Sequence, residues 1–141
     1  MPIKEITSHA DWRASYDVMR ELRPHLSLEA YLTLLEEMRS QGYRLLALTD
    51  ETDKMMALAG FTIQTNFYHH RHLFLYDLVT QSEQRSRGCG KELLSHLERW
   101  AKEEGCQYLE LTSGLIRKDA HRFYEEKMGY TWTSKVFVKE L

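Results

Sequence analysis

Residues 83–94 read EQRSRGCGKELL, and two glycines and two arginines stand here where an amphipathic helix begins. An apolar run at 72–80 predicts a strand just before this loop, and helical spacing of apolar residues follows over 91–104. The first N–H groups of a helix have no partner inside it and lie at the positive end of the helix dipole. The stretch therefore predicts a site for an anionic group, in particular for phosphates.

Standard nucleotide motifs fit this loop less well. Leu93 occupies the position where the Rossmann fingerprint needs a third glycine, and the Walker pattern is absent. Taken alone, Gly88 and Gly90 also fit a simpler interpretation, in which one glycine serves a turn and the other caps the helix. Spacing by itself leaves both interpretations open.

The remaining elements follow from hydrophobic periodicity and from turn and cap residues. Predicted strands lie at 2–6, 43–49, 55–65, 72–80 and 106–112, with a last strand or hairpin at 130–141, and predicted helices lie at 9–22, 28–41, 91–104 and 118–128. A strand–helix–strand unit at 72–112 indicates a parallel crossover inside a mixed sheet. The pattern predicts one α/β domain covering 1–141.

Composition narrows the function classes. The chain has 141 residues, 43% of them apolar, with a formal net charge of −2 and charges of alternating sign. Without a basic stripe, a nucleic-acid surface is not expected. Because no apolar run approaches the roughly 20 residues that span a bilayer and no signal peptide is evident, we expect a soluble cytoplasmic protein with no membrane partner.

Cysteines and histidines offer two further candidates. Cys89 and Cys106 form no C-x-x-C motif, so two free thiols are expected. His69, His70 and His72 cluster in YHHRH, but no acidic or cysteine ligand stands at metal-binding spacing nearby. A polar loop is favoured over a metal site, and no metal is expected.

Three motifs carry a resemblance to a known family. Residues 85–90, RSRGCG, resemble the Gln/Arg-x-x-Gly-x-Gly/Ala pyrophosphate loop of the GNAT superfamily of acetyl-CoA-dependent N-acetyltransferases. Residues 120–130, AHRFYEEKMGY, resemble its A-x-x-F-Y-x-x-x-G-[FY] segment, and YDLVT at 76–80 resembles its central strand. The order of elements matches over essentially the whole chain. Residues 111–130 are similar to a small-amine branch that includes aminoalkylphosphonate N-acetyltransferases.

This resemblance implies a mostly antiparallel sheet in which one parallel pair, 72–80 and 106–112, splays apart to admit acetyl-CoA as co-substrate. Many family members have Asn where this chain has Arg117, so Ser113 or backbone is expected to make that pantetheine contact. The implied acetyl-CoA contacts are Leu78, Val79, Thr80, Arg85, Ser86, Arg87, Gly88, Cys89, Gly90, Lys91 and Ser113.

Tyr124 matches the family's acid for the leaving thiolate, although its place beside Ala120 also fits a core tyrosine. Cys89 stands at a helix N-terminus, where a thiol pKa falls, and this would suit a nucleophile. Direct acetyl transfer needs no such nucleophile, so a structural role is favoured for Cys89.

Asp77 is the second candidate for catalysis. A two-residue period places it on one face of its strand with Leu73, Leu75 and Val79, where burying a carboxylate is costly unless it is paired. It either anchors the cationic amine or relays its proton, or it pairs with a helix terminus or an Arg. Both alternatives stay open.

The resemblance further implies a small primary amine as acceptor, with no nucleic acid, and allows a homodimer. Loop residues that normally line the acceptor site in this family supply its candidate contacts: His25, Tyr31, Tyr68 and His70. Two alternatives to this function are a CoA-binding sensor without turnover and an N-acetyltransferase acting on proteins or peptides.

Overall fold

The protein is described here from a computed structural model, which covers residues 1–85 and 87–141. Ser86, one of the predicted acetyl-CoA contacts, lies outside the described residues. The chain packs as two compact units, Met1–Glu110 and Leu111–Leu141. Each is considered by itself, and the single-domain assignment stays a prediction.

The predicted fold class is confirmed, because the chain forms a mixed α/β structure around one five-stranded sheet. The strands, in their order across the sheet, are β1 (Ile3–Glu5), β2 (Arg44–Thr49), β3 (Met55–Asn66), β4 (His70–Thr80) and β5 (Tyr108–Leu111). β1 to β4 pair antiparallel, whereas β4 and β5 are the parallel pair. The Gln107 N–H donates to the Arg71 carbonyl (2.9 Å) where this parallel pair begins.

The helices are α1 (His9–Met19), α2 (Leu28–Ser40), α3 (Cys89–Glu103) and α4 (Lys118–Arg122). Helices α1 and α2 begin where their capping residues predict, whereas α3 begins two residues before the predicted range. Ser8 and Ser27 cap α1 and α2, since each hydroxyl accepts a backbone N–H of the first turn, at 3.2 and 3.1 Å. None of the described helices is long and apolar enough to cross a membrane.

A bulge in β4 overturns one prediction. β3 and β4 pair Phe61 with Leu75 but Gly60 with Asp77, so Tyr76 is an extra residue without a partner across the ladder. The prediction that Leu73, Leu75, Asp77 and Val79 share a face is therefore wrong. The extra residue shifts the alternation by one, and Asp77 and Val79 face the opposite side of the sheet from Leu75.

The two faces of the sheet pack against different helices. Val79 belongs to a buried cluster that includes Val18 of α1 and Leu35 of α2. On the other face, the ring of Phe61 packs edge-on against Trp100 of α3, with 5.4 Å between centroids. The bulge consequently moves Asp77 away from α3 and into the layer that α1 and α2 cover.

In the C-terminal unit, α4 continues as a π-helical turn, Phe123–Lys127, and Gly129 follows at φ +74°. The predicted strand at 130–141 is wrong, because no strand forms there in the described residues. An alternating pattern produces a strand only when its backbone groups pair with a neighbour. Residues 130–141 have no such ladder, and Phe137 and Val138 are about nine-tenths exposed.

Candidate active site

The N-terminus of α3 has the properties of an anion site. Gly88, immediately before the helix, takes a left-handed conformation (φ +80°), which glycine adopts without strain. No side chain caps this helix end among the described residues, and, apart from the chain neighbours of Gly88 and the helix's own backbone, none of their atoms lies within 4 Å of where a Cβ on Gly88 would stand. The first-turn N–H groups, including those of Gly90 and Lys91, therefore face a space that a phosphate can approach.

Basic side chains surround this helix end. Arg85 Nη2 lies 3.7 Å from Glu21 Oε1, and Arg87 Nη1 donates to Gln84 Oε1 at 2.7 Å. Arg85, Arg87 and Lys91 are all exposed. Their charges supplement the helix dipole at the same place, as the sequence suggested.

Cys89 does not have the thiol pKa that its position predicted. The residue is buried, and this burial raises the pKa of its thiol, with the charge of Glu92 adding to the rise and that of Arg87 partly opposing it. The expectation that this position lowers the pKa is wrong, because removal from water raises the thiol pKa by more than Arg87 and the backbone N–H lower it. The thiol is neutral at physiological pH and packs as a small apolar side chain.

The other predicted acetyl-CoA contacts lie on β4 and in the C-terminal unit. Leu78, Val79 and Thr80 end β4, paired on one edge with β3 and followed in sheet order by β5. Ser113 has a buried hydroxyl with no hydrogen-bond partner in the part of the chain that the structure describes. Such an orphaned oxygen suits a hydrogen bond to a bound molecule.

Tyr124 lies in the π-helical turn of the C-terminal unit, where it is half-buried between two other aromatic rings. Its centroid is 5.3 Å from that of Phe123 and 5.8 Å from that of Tyr130. Burial raises the pKa of the Tyr124 phenol, and the nearby charge of Arg117 lowers it by less. The phenol therefore keeps its proton at neutral pH.

Asp77 is the centre of a hydrogen-bonded cluster in the N-terminal unit. Its side chain is almost fully buried, and Oδ1 accepts from Arg23 Nε at 3.1 Å and Nη2 at 3.0 Å. Tyr43 donates to the second oxygen, Oδ2, at 2.7 Å. A β-carbon on Gly60 would stand 1.7 Å from the Tyr43 hydroxyl, so only glycine leaves room for this ring.

A second phenol continues the cluster. The hydroxyl of Tyr31 lies 2.8 Å from Ser15 Oγ. Burial, and to a smaller extent the charge of Asp77, raises the pKa of Tyr31 to about 12 and that of Tyr43 well above 10. Both phenols stay protonated at neutral pH, so Tyr43 is fixed as a donor to the Asp77 carboxylate.

A cavity of about 300 Å³ opens beside this cluster. Its wall combines apolar side chains with aromatic and charged ones. The lining residues are Met19, Arg23, His25, Leu26, Tyr31, Leu34, Leu35, Met38, Tyr43, Tyr76 and Asp77. Two of the predicted acceptor residues, His25 and Tyr31, line it. Tyr68 and His70 do not, because they lie at the β3–β4 hairpin, and His70 is about 23 Å along an extended strand from Asp77.

Arg23, Tyr43 and Gly60 are the residues that the sequence did not single out. Arg23 lies 54 positions from Asp77, and nothing in the spacing pairs them. The one available signal was Gly60, since a glycine inside an apolar strand often marks the close approach of another group.

The histidine cluster has an acidic neighbour that the sequence did not predict. His69 Nδ1 lies 3.4 Å from Glu110 Oε1, and the fully buried His72 has Nε2 3.9 Å from Glu110 Oε2. His70 is exposed and contributes its carbonyl, 3.0 Å from His72 Nδ1. Across residues 1–85 and 87–141, no three His, Cys, Asp or Glu side chains are arranged to hold a metal ion.

Comparison with known proteins identifies the class of this site. The model of the acetyltransferase (GNAT) family matches residues 9–130, so the chain belongs to that family. It is an acetyltransferase whose co-substrate is acetyl-CoA.

Two relatives and one solved structure are similar to this chain. It is 43% identical to the uncharacterized N-acetyltransferase YhdJ of Bacillus subtilis (strain 168), over 97% of this chain and 96% of that protein. It is 31% identical to the aminoalkylphosphonate N-acetyltransferase of Salmonella typhimurium, over 70% of this chain and 62% of that protein. The fold matches that of the aminoglycoside N-acetyltransferase AAC(6')-Iy in complex with CoA, with a TM-score of 0.85, 16% identity and coverage of 99% and 93%.

Proposed function

We propose that this acetyltransferase moves the acetyl group directly from acetyl-CoA to the primary amine of a small molecule. The observation that carries the proposal is the cavity of about 300 Å³ beside the β4 bulge, at the lower end of the range for small-molecule sites. One relative described above is named for an aminoalkylphosphonate, and the protein of similar fold is named for an aminoglycoside.

The residues around the α3 N-terminus fit the co-substrate. In the proposed arrangement, backbone N–H groups of residues 86–91 hold the pyrophosphate, with Arg85 and Arg87 adding charge. Leu78, Val79 and Thr80 offer backbone groups to the pantetheine amides, and the orphaned hydroxyl of Ser113 offers one more. Acetyl-CoA supplies an activated acyl group as its thioester.

The transfer forms one C–N bond and breaks one C–S bond, so the chain must orient the amine and manage two protons. The amine loses a proton on becoming an amide, and the departing thiolate gains one. Orientation supplies much of the rate, and a backbone N–H of the splayed strand polarises the carbonyl. The Tyr124 phenol, protonated at neutral pH, is the proposed donor to the thiolate. Its raised pKa makes that transfer uphill unless the site raises the thiolate's pKa too.

The test is thiol release from acetyl-CoA with a panel of small primary amines, lysine-rich peptides and protein N-termini. Activity with small amines supports the proposal, whereas activity confined to peptides or N-termini contradicts it. Binding of acetyl-CoA with no turnover for any acceptor would indicate the sensor alternative. Tyr124→Phe is expected to lower turnover by roughly 10²–10⁴ while acetyl-CoA affinity survives.

The same assay tests the anion site with a matched pair of variants. Gly88→Asp puts a negative charge beside the pyrophosphate, and Gly88→Asn puts a neutral side chain of the same shape there. Both impose the same backbone strain at φ +80°, so their difference isolates the charge. We expect Gly88→Asp to lose far more CoA affinity than Gly88→Asn, as calorimetry can measure. Equal affinity of the two folded variants contradicts the assignment.

A further inference from the structure

The cavity beside β4 contains a guanidinium group with donors to spare. Arg23 directs Nε and Nη2 at Asp77 Oδ1, and Nη2 also lies 3.2 Å from the Tyr76 carbonyl. A guanidinium has five N–H donors, and no bond from Nη1 is found among the described residues. The side chain is 42% exposed and forms part of the cavity wall. Two N–H groups of fixed direction are therefore open to a ligand.

The carboxylate in the same wall is already occupied. Asp77 accepts two N–H groups on one oxygen and a phenol on the other, and the residue is 8% exposed. Its one negative charge is matched by the positive charge of Arg23. Binding a substrate ammonium at Asp77 would require the carboxylate to give up contacts it already has. This wall therefore offers free N–H donors of Arg23 to an anion, whereas the carboxylate of Asp77 is not free to accept from a cation.

The rest of the cluster holds Arg23 in place. Tyr43 stays protonated and fixes the second carboxylate oxygen, and Gly60 provides the space for its ring. A carboxylate held at both oxygens keeps its guanidinium partner in one orientation, which is the condition for recognising a planar or tetrahedral anion by paired hydrogen bonds. His25, also in the wall, is the other side chain there able to carry a positive charge.

We propose that Arg23 is a specificity-determining residue that binds an acidic group, a carboxylate or a phosphonate, on the amine acceptor. Asp77 and Tyr43 then act as positioning residues for Arg23. This inference rests on the proposed function, because it assumes that the cavity receives the acceptor. It assigns the carboxylate of Asp77 to the guanidinium and not to the substrate ammonium.

The experiment compares kcat/KM for amines of similar size with and without an acid. 2-Aminoethylphosphonate and β-alanine carry one, and propylamine and ethanolamine do not. Charge-assisted hydrogen bonds contribute enough to predict a preference of roughly 10- to 150-fold for the acid-bearing amines. Arg23→Gln should abolish most of this preference, because the acid-bearing amines should lose much more kcat/KM than the neutral ones, through KM. The ratio between variant and parent cancels differences in amine basicity.

Arg20→Gln is the matched control. It removes the same charge three residues away, from a side chain that lies over the Tyr16 ring and does not line the cavity. It should keep the preference. Because Arg23→Gln leaves the Asp77 carboxylate partly unpaired, the double variant Arg23→Gln/Asp77→Asn removes both charges and should also lose the preference. Arg23→Lys, which keeps the charge without the fork, should keep part of it.

The outcomes separate the two proposals. If kcat/KM is equal for neutral and acid-bearing small amines, or if Arg23→Gln keeps the preference, the role of Arg23 is overturned and the small-amine function stands. If no small amine of either kind is acetylated, both fall. Asp77→Asn gives a further check: a loss confined to acid-bearing amines supports positioning through Arg23, and an equal loss for every amine overturns it in favour of an ammonium anchor.

Discussion

Strand β4 carries one buried polar side chain near each end, and the two differ in how their atoms are satisfied. At the Asp77 end, both carboxylate oxygens accept hydrogen bonds, from Arg23 and Tyr43. At the His72 end, the imidazole is fully buried, Nδ1 is 3.0 Å from the His70 carbonyl, and Nε2 has no hydrogen-bond partner among the described residues.

Both side chains are polar, so what differs between the two ends is the free-energy cost of burying them. A buried polar group that is fully bonded rigidifies its surroundings, whereas one left unbonded costs about 1–3 kcal/mol. The satisfied cluster lies beside the cavity, where a fixed geometry is useful for recognition. The unsatisfied ring lies where β4 begins, with Glu110 near but beyond hydrogen-bond distance at 3.9 Å.

The largest effect on the Asp77 end is expected from Gly60→Ala, which places a methyl group into the space of the Tyr43 ring. The ring must move, and its bond to Asp77 is lost with it. Overpacking and an unmet buried acceptor together predict a loss of about 3–5 kcal/mol in the free energy of unfolding, measured by urea denaturation.

A double-mutant cycle identifies the cause of that loss. Tyr43→Ala removes the ring that the new methyl group meets, so Gly60→Ala should cost much less in that background than in the parent. If the two losses simply add, the close approach of Gly60 and Tyr43 does not explain the effect.

Alkaline pH sharpens the comparison, because two phenols with raised pKa values, Tyr31 and Tyr43, lie at the Asp77 end. A phenol whose pKa is higher in the folded state than in the unfolded state contributes stability that is complete below about pH 10 and is lost above it. Tyr31, with a pKa of about 12, predicts a loss of about 2 kcal/mol between pH 10 and 12, out of about 3 kcal/mol in all. Tyr43 acts in the same direction.

Tyr43→Phe is the control for this profile. The variant starts less stable, since Asp77 loses a donor, but its stability should fall less steeply above pH 10 than that of the parent. Equal slopes in urea titrations of the two proteins would show that Tyr43 does not titrate with folding.

The sequence predicted the sheet and helices well because hydrophobic periodicity reports burial directly. The start of α3 came from its glycines and from the amphipathic run that follows, and the structure has it at Cys89. The bulge at Tyr76 was missed because one extra residue leaves the apolar composition of a strand unchanged, yet it reverses the face of every later side chain. The error at Asp77 followed from that one residue.

The satisfied cluster could not be derived from spacing either. It joins Arg23 from the segment after α1, Tyr43 from just before β2, Gly60 of β3 and Asp77 of β4, which only the folded sheet brings together. For residues 130–141 the limit was different, since alternation is necessary for a half-buried strand but does not supply the neighbour that must pair with it.

A smaller effect is expected at the other end of β4. His72→Leu removes an imidazole with one unmet nitrogen, so the loss of its contact with the His70 carbonyl is offset, and stability should stay within about 1 kcal/mol of the parent. Asp77→Leu, the matched change at the satisfied end, should cost about 2–3 kcal/mol, less than a fully buried pair because Arg23 is half-exposed. If His72→Leu and Asp77→Leu lose equal free energy of unfolding, the two ends of β4 do not differ in the way described.

The smallest effect is expected at Glu110, whose carboxylate lies beside the two imidazoles at the His72 end of β4. Its carboxylate is one-third exposed and lies 3.4 and 3.9 Å from the two imidazoles, so we expect Glu110→Gln to change the free energy of unfolding by about 0.5 kcal/mol or less at neutral pH. Glu103→Gln, on the exposed side of α3, controls for the change in net charge. Both should respond alike to added salt. A loss above about 1 kcal/mol for Glu110→Gln that shrinks with salt would mean that a charged imidazole pairs with this carboxylate. The His72 end would then be satisfied by an ion pair, as the Asp77 end is.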